Sequence, residues 1–180
     1  MGVPERNTAE MVADQYADGI VGPDGVHHDV EFIIYDTESN PDTASSVASR
    51  LITEDQVDVL VCGTLSGNSM AAVPIATENE VPMVSMASAR AIIQDPDSGE
   101  ARKWIFKTPQ ENSHSGEWQA RYLEAKEITS ICDLYENTGY GQDCVAQSTK
   151  AVEAKGIDVA YTDSFEQSDT EFPQMAGVQA

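Results

Sequence analysis

Residues 57–89 read VDVLVCGTLSGNSMAAVPIATENEVPMVSMASA, and this stretch is the most informative part of the chain. The apolar run 57–62 predicts a buried strand, the polar segment after it predicts a loop, and residues 68–79 predict a helix. A second apolar run, 81–85, predicts another buried strand. Strands that alternate with helices in this way indicate parallel β-α-β units. Small residues, mostly Ser, Gly and Ala, follow both strands, so we expect a small-molecule cleft at the carboxyl edge of the sheet.

The rest of the chain alternates in the same way. Further helices are predicted at about residues 4–17, 41–54, 117–126, 141–155 and from 172 onward, and further strands at 30–35, 104–106, 128–135 and 157–161. The segment KTPQENS has no apolar periodicity. We therefore predict two α/β lobes, the first comprising residues 1–107 and the second beginning at residue 108 and continuing to 180.

The charge of the chain excludes several classes of partner. The 31 acidic and 10 basic residues give a net charge of −21, whereas nucleic-acid binding requires clustered Lys and Arg. Anionic membrane surfaces are disfavoured for the same reason. Excess acid with so little Lys is typical of proteins from salt-loving organisms, which we keep as a hypothesis. Apolar runs are shorter than the roughly 20 residues that cross a bilayer, and the first residues lack a signal-peptide core, so we expect a soluble chain.

Catalytic and metal motifs are missing from the sequence. GTLSG is not the G-x-S-x-G nucleophile elbow, since two residues separate its first glycine from the serine. His27 and His28 are expected in a turn between helix and strand, at the opposite edge of the sheet, and nothing local orients His114 as a base. The three cysteines have no CxxC spacing, and phosphate-binding, dinucleotide and EF-hand patterns do not match. We therefore predict a protein that is not an enzyme and has no cofactor and no metal.

Three places at predicted strand ends are candidates for ligand binding. Ser66 lies at the entrance of a helix, where its hydroxyl and the free N–H groups of the first turn could hold an anion, or where a Ser or Asn could simply cap the helix. Residues 85–89 are small, which leaves room for a ligand or allows close packing of strand against helix. Tyr140 lies between two glycines that permit an aromatic side chain to project from a tight turn.

At these residues the chain resembles a known family, the type I periplasmic binding proteins, and in particular the leucine/isoleucine/valine-binding proteins of branched-chain amino acid ABC transporters. The resemblance covers nearly the whole chain, in the order and spacing of the family. Its matching segments are YDTESNPDTASSVASRLI, GTLSGNSMAAVPIATENEVPMVS, WIFKTPQ, LYENTGYGQ and SFEQSDTEFPQMAGVQA. It implies two flavodoxin-like lobes with parallel sheets in three αβα layers, joined by a hinge that lets them close over a ligand.

The resemblance also implies roles for single residues. Ser66 matches the serine whose hydroxyl holds the α-carboxylate of the ligand. Ala87 and Ser88 match residues that contact the carboxylate and the ammonium group, although a hydroxyl that is common one position later is Ala89 here. Tyr140 matches the aromatic residue of the second lobe that closes on the ligand, and Thr108-Pro109 matches the first hinge crossing.

The implied protein is an extracytoplasmic, periplasmic or extracellular, non-catalytic component that captures a branched-chain or related amino acid and delivers it to an ABC permease. A ligand-sensing receptor or regulatory lobe is the alternative, since the same fold serves both. Members of the family begin with a strand before the first helix and continue well past residue 180. We therefore expect a fragment, incomplete at both ends, whose binding of amino acids is weak or absent. We also expect it to self-associate through exposed sheet edges or to rearrange its sheet.

Overall fold

The computed structural model describes residues 2–173 and residue 176 of the chain, and helices and strands alternate along most of it. The helices are α1 Val3–Gln15, α2 Pro41–Thr53, α3 Ser66–Glu78, α4 Asn112–Ala125 and α5 Gly139–Glu153, with a short 3-10 helix at Arg90–Ile92. The strands are β1 Ile20–Val21, β2 His27–His28, β3 Leu60–Cys62, β4 Met83–Ser85, β5 Ile105–Lys107, β6 Ser130–Glu136 and β7 Asp158–Phe165.

The first lobe is built on a parallel sheet in the order β3-β4-β5. Leu60, Met83 and Ile105 are in register and are buried on the inner face. Helices α2 and α3 pack against each other and supply buried residues to the same core. The outer face is open, because Val61 and Phe106 are 63% and 54% exposed. The expected parallel β-α-β arrangement is therefore confirmed, and its helix-covered face forms the core.

The second lobe contains the parallel pair β6-β7, with helices α4 and α5 packed together beside it. Its smaller core consists of Ala120 on α4, Val152 on α5, and Ile157, which directly precedes β7. Helix α4 begins at Asn112, five residues before the position expected from apolar periodicity. The end of the polar KTPQENS segment is consequently helical. The division of the lobes at residues 107 and 108 stays a prediction, and it falls directly after β5.

Two features near the N-terminus differ from expectation. His27 and His28, expected in a turn, form the short strand β2, which pairs antiparallel with β1. The predicted strand at residues 30–35 is wrong as a member of a sheet, because the described residues include no strand paired with it. Its side chains nevertheless alternate, with Ile33 and Tyr35 packed against the first core and the intervening apolar residues exposed. A strand belongs to a sheet only when an adjacent strand forms hydrogen bonds with it, and the local sequence does not show whether such a strand is present.

The last predicted element, the helix from residue 172 onward, falls mainly on residues outside those that the structure describes. Phe172 is described, and its ring meets that of Phe165 edge to face at a centroid distance of 5.2 Å. This contact places the described end of the chain beside the end of β7.

Candidate functional site

The candidate site lies at the carboxyl edge of the first sheet. Cys62, Ser85 and Lys107 are the last residues of three neighbouring parallel strands and share one level of the register. The loops after β3 and β4 therefore leave the sheet side by side, as the sequence predicted. Helix α3 begins four residues after Cys62, so its N-terminus also opens at this edge.

Ser66 is the first residue of α3 and is only 1% exposed. Its Oγ accepts a hydrogen bond of 3.4 Å from the backbone N–H of Ala89, which joins the two loops. The N-cap position belongs to Leu65, whose side chain cannot cap and makes no capping bond. The first N–H groups of α3 are therefore left without a side-chain acceptor, and such groups carry a partial positive charge.

A chain of hydroxyl groups fixes the two loops beneath Ser66. Ser69 donates to the carbonyl oxygen of Gly63 at 3.2 Å, and its Oγ lies 2.8 Å from that of Ser85. Ser85 accepts from the N–H of Ala87 at 3.1 Å. Because Ser69 uses its single proton on Gly63, Ser85 is the donor in the bond between the two serines. Sequence reasoning assigned no role to Ser69, although its position one helical turn into α3 could have indicated one.

The loop after β4 presents its backbone rather than its alanine side chains. Ala87 and Ala89 are buried, whereas Ser88 is partly exposed. The ammonium group of Lys107 donates to the carbonyl oxygen of Ser88 at 2.6 Å. Burial lowers the pKa of Lys107, although the nearby carboxylates of Glu111 and Asp143 act in the opposite direction. Lys107 is a residue that sequence reasoning missed, because only the register of β5 brings it to this loop.

Tyr140 lies in the first turn of α5, and the N-terminus of this helix meets that of α3. A Cβ atom placed on Gly139 would lie 3.2 Å from the backbone nitrogen of Gly67, so the two helices approach at glycines. Unlike α3, α5 is capped, because the Thr138 hydroxyl accepts from the N–H of Gly141 at 3.2 Å. Tyr140 is 48% exposed, and hydrogen bonding to Cys144 raises its pKa.

The part of the chain that the structure describes contains no cluster of three or more His, Cys, Asp or Glu side chains able to hold a metal ion. Burial raises the pKa of Cys62 at the end of β3 to about 12, which makes this thiol a poor nucleophile. Among the described helices, none has the length and apolar character needed to span a membrane.

Comparisons with known proteins agree with this architecture. Residues 1–177 match the family model described as periplasmic binding protein. A periplasmic binding protein from Burkholderia mallei superposes with a TM-score of 0.84 at 15% identity, covering 96% of this chain and 44% of that one. The leucine-binding protein LivK from Thermotoga maritima gives 0.79 at 21% identity, with coverages of 94% and 46%.

A third structure is the solute-binding protein of an ABC transporter from Rhodopseudomonas palustris HaA2, in complex with p-hydroxybenzoic acid. Its TM-score is 0.76 at 26% identity, and the match covers 96% of this chain and 46% of that one. This chain thus spans less than half the length of the solved structures that it matches. The search of curated proteins found no match.

Proposed function

Because this chain belongs to the periplasmic binding protein family, we propose that it contributes the carboxylate-holding part of an extracytoplasmic solute-binding protein for an ABC importer. The proposed ligand is a branched-chain or related amino acid, the proposed partner is the permease, and the protein carries out no catalysis and uses no metal or cofactor. The proposed contacts are Ser66, Ala87, Ser88 and Tyr140.

The observation that carries this proposal is the uncapped N-terminus of α3 at the strand ends. Its first N–H groups have no side-chain acceptor, and a carboxylate is the natural partner for such groups. The Ser66 hydroxyl lies beside them, and the loop that contains Ala87 and Ser88 is bound to it through Ala89. Tyr140 lies in the first turn of the facing helix α5, next to Gly139, where the two N-termini meet.

The ligands of the structural neighbours support a carboxylate as the shared feature. LivJ of Streptococcus pneumoniae was solved with isoleucine, and other neighbours were solved with benzoate or hydroxybenzoates. All of these molecules carry a carboxylate group. An aromatic acid is therefore the second candidate ligand, favoured by the 26% identity to the protein bound to p-hydroxybenzoic acid. A ligand-sensing receptor is the second candidate role, since one neighbour is described as an extracellular ligand-binding receptor.

The test is a titration of the isotope-labelled chain with leucine, followed by the backbone amide signals in NMR spectra. We expect weak binding that perturbs the amides of residues 66–68 and 87–89, because this chain spans less than half the length of the solved structures that it matches. Leucinol, which lacks the carboxylate, is the matched ligand control and should leave these signals in place. 4-Hydroxybenzoate tests the second ligand class.

Ser66→Ala should abolish the leucine-induced changes, whereas Ser46→Ala, on the exposed side of α2, should not. Binding of leucinol and leucine with equal strength would refute the carboxylate site. Perturbations confined to regions far from α3 would refute the placement. Micromolar affinity for leucine would contradict the expectation of weak binding by this chain.

A further inference from the structure

Two cations secure the loop that follows β4. We call residues 87–90, which include two of the proposed ligand contacts, the binding loop. The ammonium group of Lys107 donates to the carbonyl oxygen of Ser88 at 2.6 Å. Arg90 is the last residue of the loop and directly follows Ala89, whose N–H is bonded to the first residue of α3. A force on either cation therefore acts on the backbone of the binding loop.

The carboxylates that face these cations belong to the second lobe rather than to the first sheet. The guanidinium group of Arg90 lies 3.5 Å from the carboxylate of Glu111, the residue directly before α4. The carboxylates of Glu111 and of Asp143, which lies in α5, also favour the charged form of Lys107. We call these four residues the charge cluster. Its two positive and two negative groups connect the binding loop to the helices α4 and α5.

The two carboxylates of the charge cluster are fixed by further hydrogen bonds. Ser113 donates to the carboxylate of Glu111 at 3.2 Å, and the Glu111 side chain is 21% exposed. The buried side chain of Asn112 donates from Nδ2 to the carboxylate of Asp143 at 2.6 Å, which joins α4 to α5. A side chain that is already fixed loses less conformational entropy when it forms an ion pair. The bond between Arg90 and Glu111 therefore has a rigid acceptor.

We propose that the ion pair between Arg90 and Glu111 pre-organises the binding loop for the ligand, and that both are positioning residues of the site. This inference rests on the proposed function, in which the ligand contacts this loop. A loop that is already ordered loses less conformational entropy when a ligand binds, and its affinity is correspondingly higher. Because Glu111 directly precedes α4, the order of the binding loop depends on the position of α4 relative to the first sheet.

A double-mutant cycle tests the ion pair in the chain without ligand. Its variants are Arg90→Gln, Glu111→Gln and the combination of the two. Its readout is the hydrogen exchange of the buried Ala89 amide, which is bonded to Ser66. Each single variant should raise this exchange rate by roughly threefold, the size expected of a partly exposed ion pair. The double variant should exchange no faster than the faster single variant. The cycle cancels separate effects, such as the charge of Glu111 at the start of α4.

Glu117→Gln is the matched control for this cycle. Glu117 is also a carboxylate of α4 that faces an arginine, but its partner is Arg121 of the same helix. This variant should leave the exchange of Ala89 unchanged. The exchange of the buried Ala76 amide, in α3, should stay the same in every variant, which separates a local effect from a loss of overall stability. The difference between wild type and double variant should shrink in about 1 M KCl, where the Debye length is about 3 Å.

Titration of the same variants with leucine gives the functional readout. Each single variant should weaken the binding of leucine by roughly threefold, and the double variant should weaken it no further. Additive effects of the two substitutions on the exchange rate would overturn the proposal, as would wild-type exchange of Ala89 in Glu111→Gln. A chain that shows the coupling in hydrogen exchange but does not bind leucine would contradict the proposed ligand, and it would still support the action of the ion pair on the loop.

Discussion

At the scale of single residues, Lys107 is the side chain that joins the end of β5 to the proposed binding loop. Its ammonium group donates to the carbonyl oxygen of Ser88 at 2.6 Å, and burial lowers its pKa. This bond orients the backbone beside Ser66 and Ala89. Lys107 is therefore a positioning residue for the proposed site, and it acts through the loop.

We predict that Lys107→Met weakens binding of leucine by roughly tenfold, because a hydrogen bond from a charged donor contributes about 1.5 kcal/mol. Met keeps the apolar stem, so the free energy of unfolding should change little. The amide perturbations used to locate the ligand provide the measurement. Lys103→Met is the control, since the ammonium group of Lys103 lies over the ring of Trp104, which precedes β5 at the sheet end away from the site. If Lys107→Met and the wild type bind leucine with equal affinity, Lys107 is not a positioning residue.

At the scale of secondary-structure elements, helix α2 is stabilised by an N-cap residue, Asn40, of a type that commonly begins helices. The Asn40 side chain accepts hydrogen bonds from the N–H groups of Asp42 at 2.8 Å and Thr43 at 3.0 Å. Pro41 follows at the first helical position, where its missing N–H has no consequence. This local chemistry explains why the predicted start of α2 was confirmed.

We predict that Asn40→Ala lowers the free energy of unfolding by about 1 kcal/mol, since it leaves two first-turn donors without their acceptor. Urea unfolding followed by circular dichroism measures this loss. Asn7→Ala is the control because Asn7 lies exposed within α1, where Ala is the better helix former. A loss of the same size in both variants would show that capping is not the cause.

The start of α3 lacks the side-chain cap that α2 has. Leu65 occupies the N-cap and cannot accept a hydrogen bond through its side chain, which leaves the helix end available to a ligand.

Strand pairing, unlike helix capping, depends on residues that are distant in the sequence, and this explains why the strand predicted at residues 30–35 is absent. The apolar alternation of residues 30–35 is correct for a strand, but pairing depends on a neighbour that no local pattern contains.

At the scale of the whole molecule, the dominant property is its acidic surface. A net charge of −21 on 180 residues produces self-repulsion that opposes the compact state, and salt screens this repulsion. From the hypothesis of adaptation to high salt, we predict that the melting temperature rises as KCl is raised. Thermal melts followed by circular dichroism at constant pH measure the effect.

NaCl at the same ionic strength is the control for this experiment, because screening does not distinguish the two cations. Equal rises in the two salts indicate screening, whereas a rise in only one would indicate binding of a specific ion. A melting temperature that falls with KCl would contradict the hypothesis of adaptation to high salt.

Three features were predictable from the sequence alone: the alternation of strands and helices, the parallel sheet, and the position of Ser66 at a helix entrance beside a neighbouring strand end. These features follow from local periodicity, turn residues and the rule that parallel strands end at one edge. Three features emerge only from the folded chain: Lys107 reaches Ser88, α3 and α5 meet at Gly67 and Gly139, and residues 30–35 pair with no strand among the described residues. Each of these depends on contacts between distant segments, and such contacts are set by packing and strand register rather than by the properties of neighbouring residues.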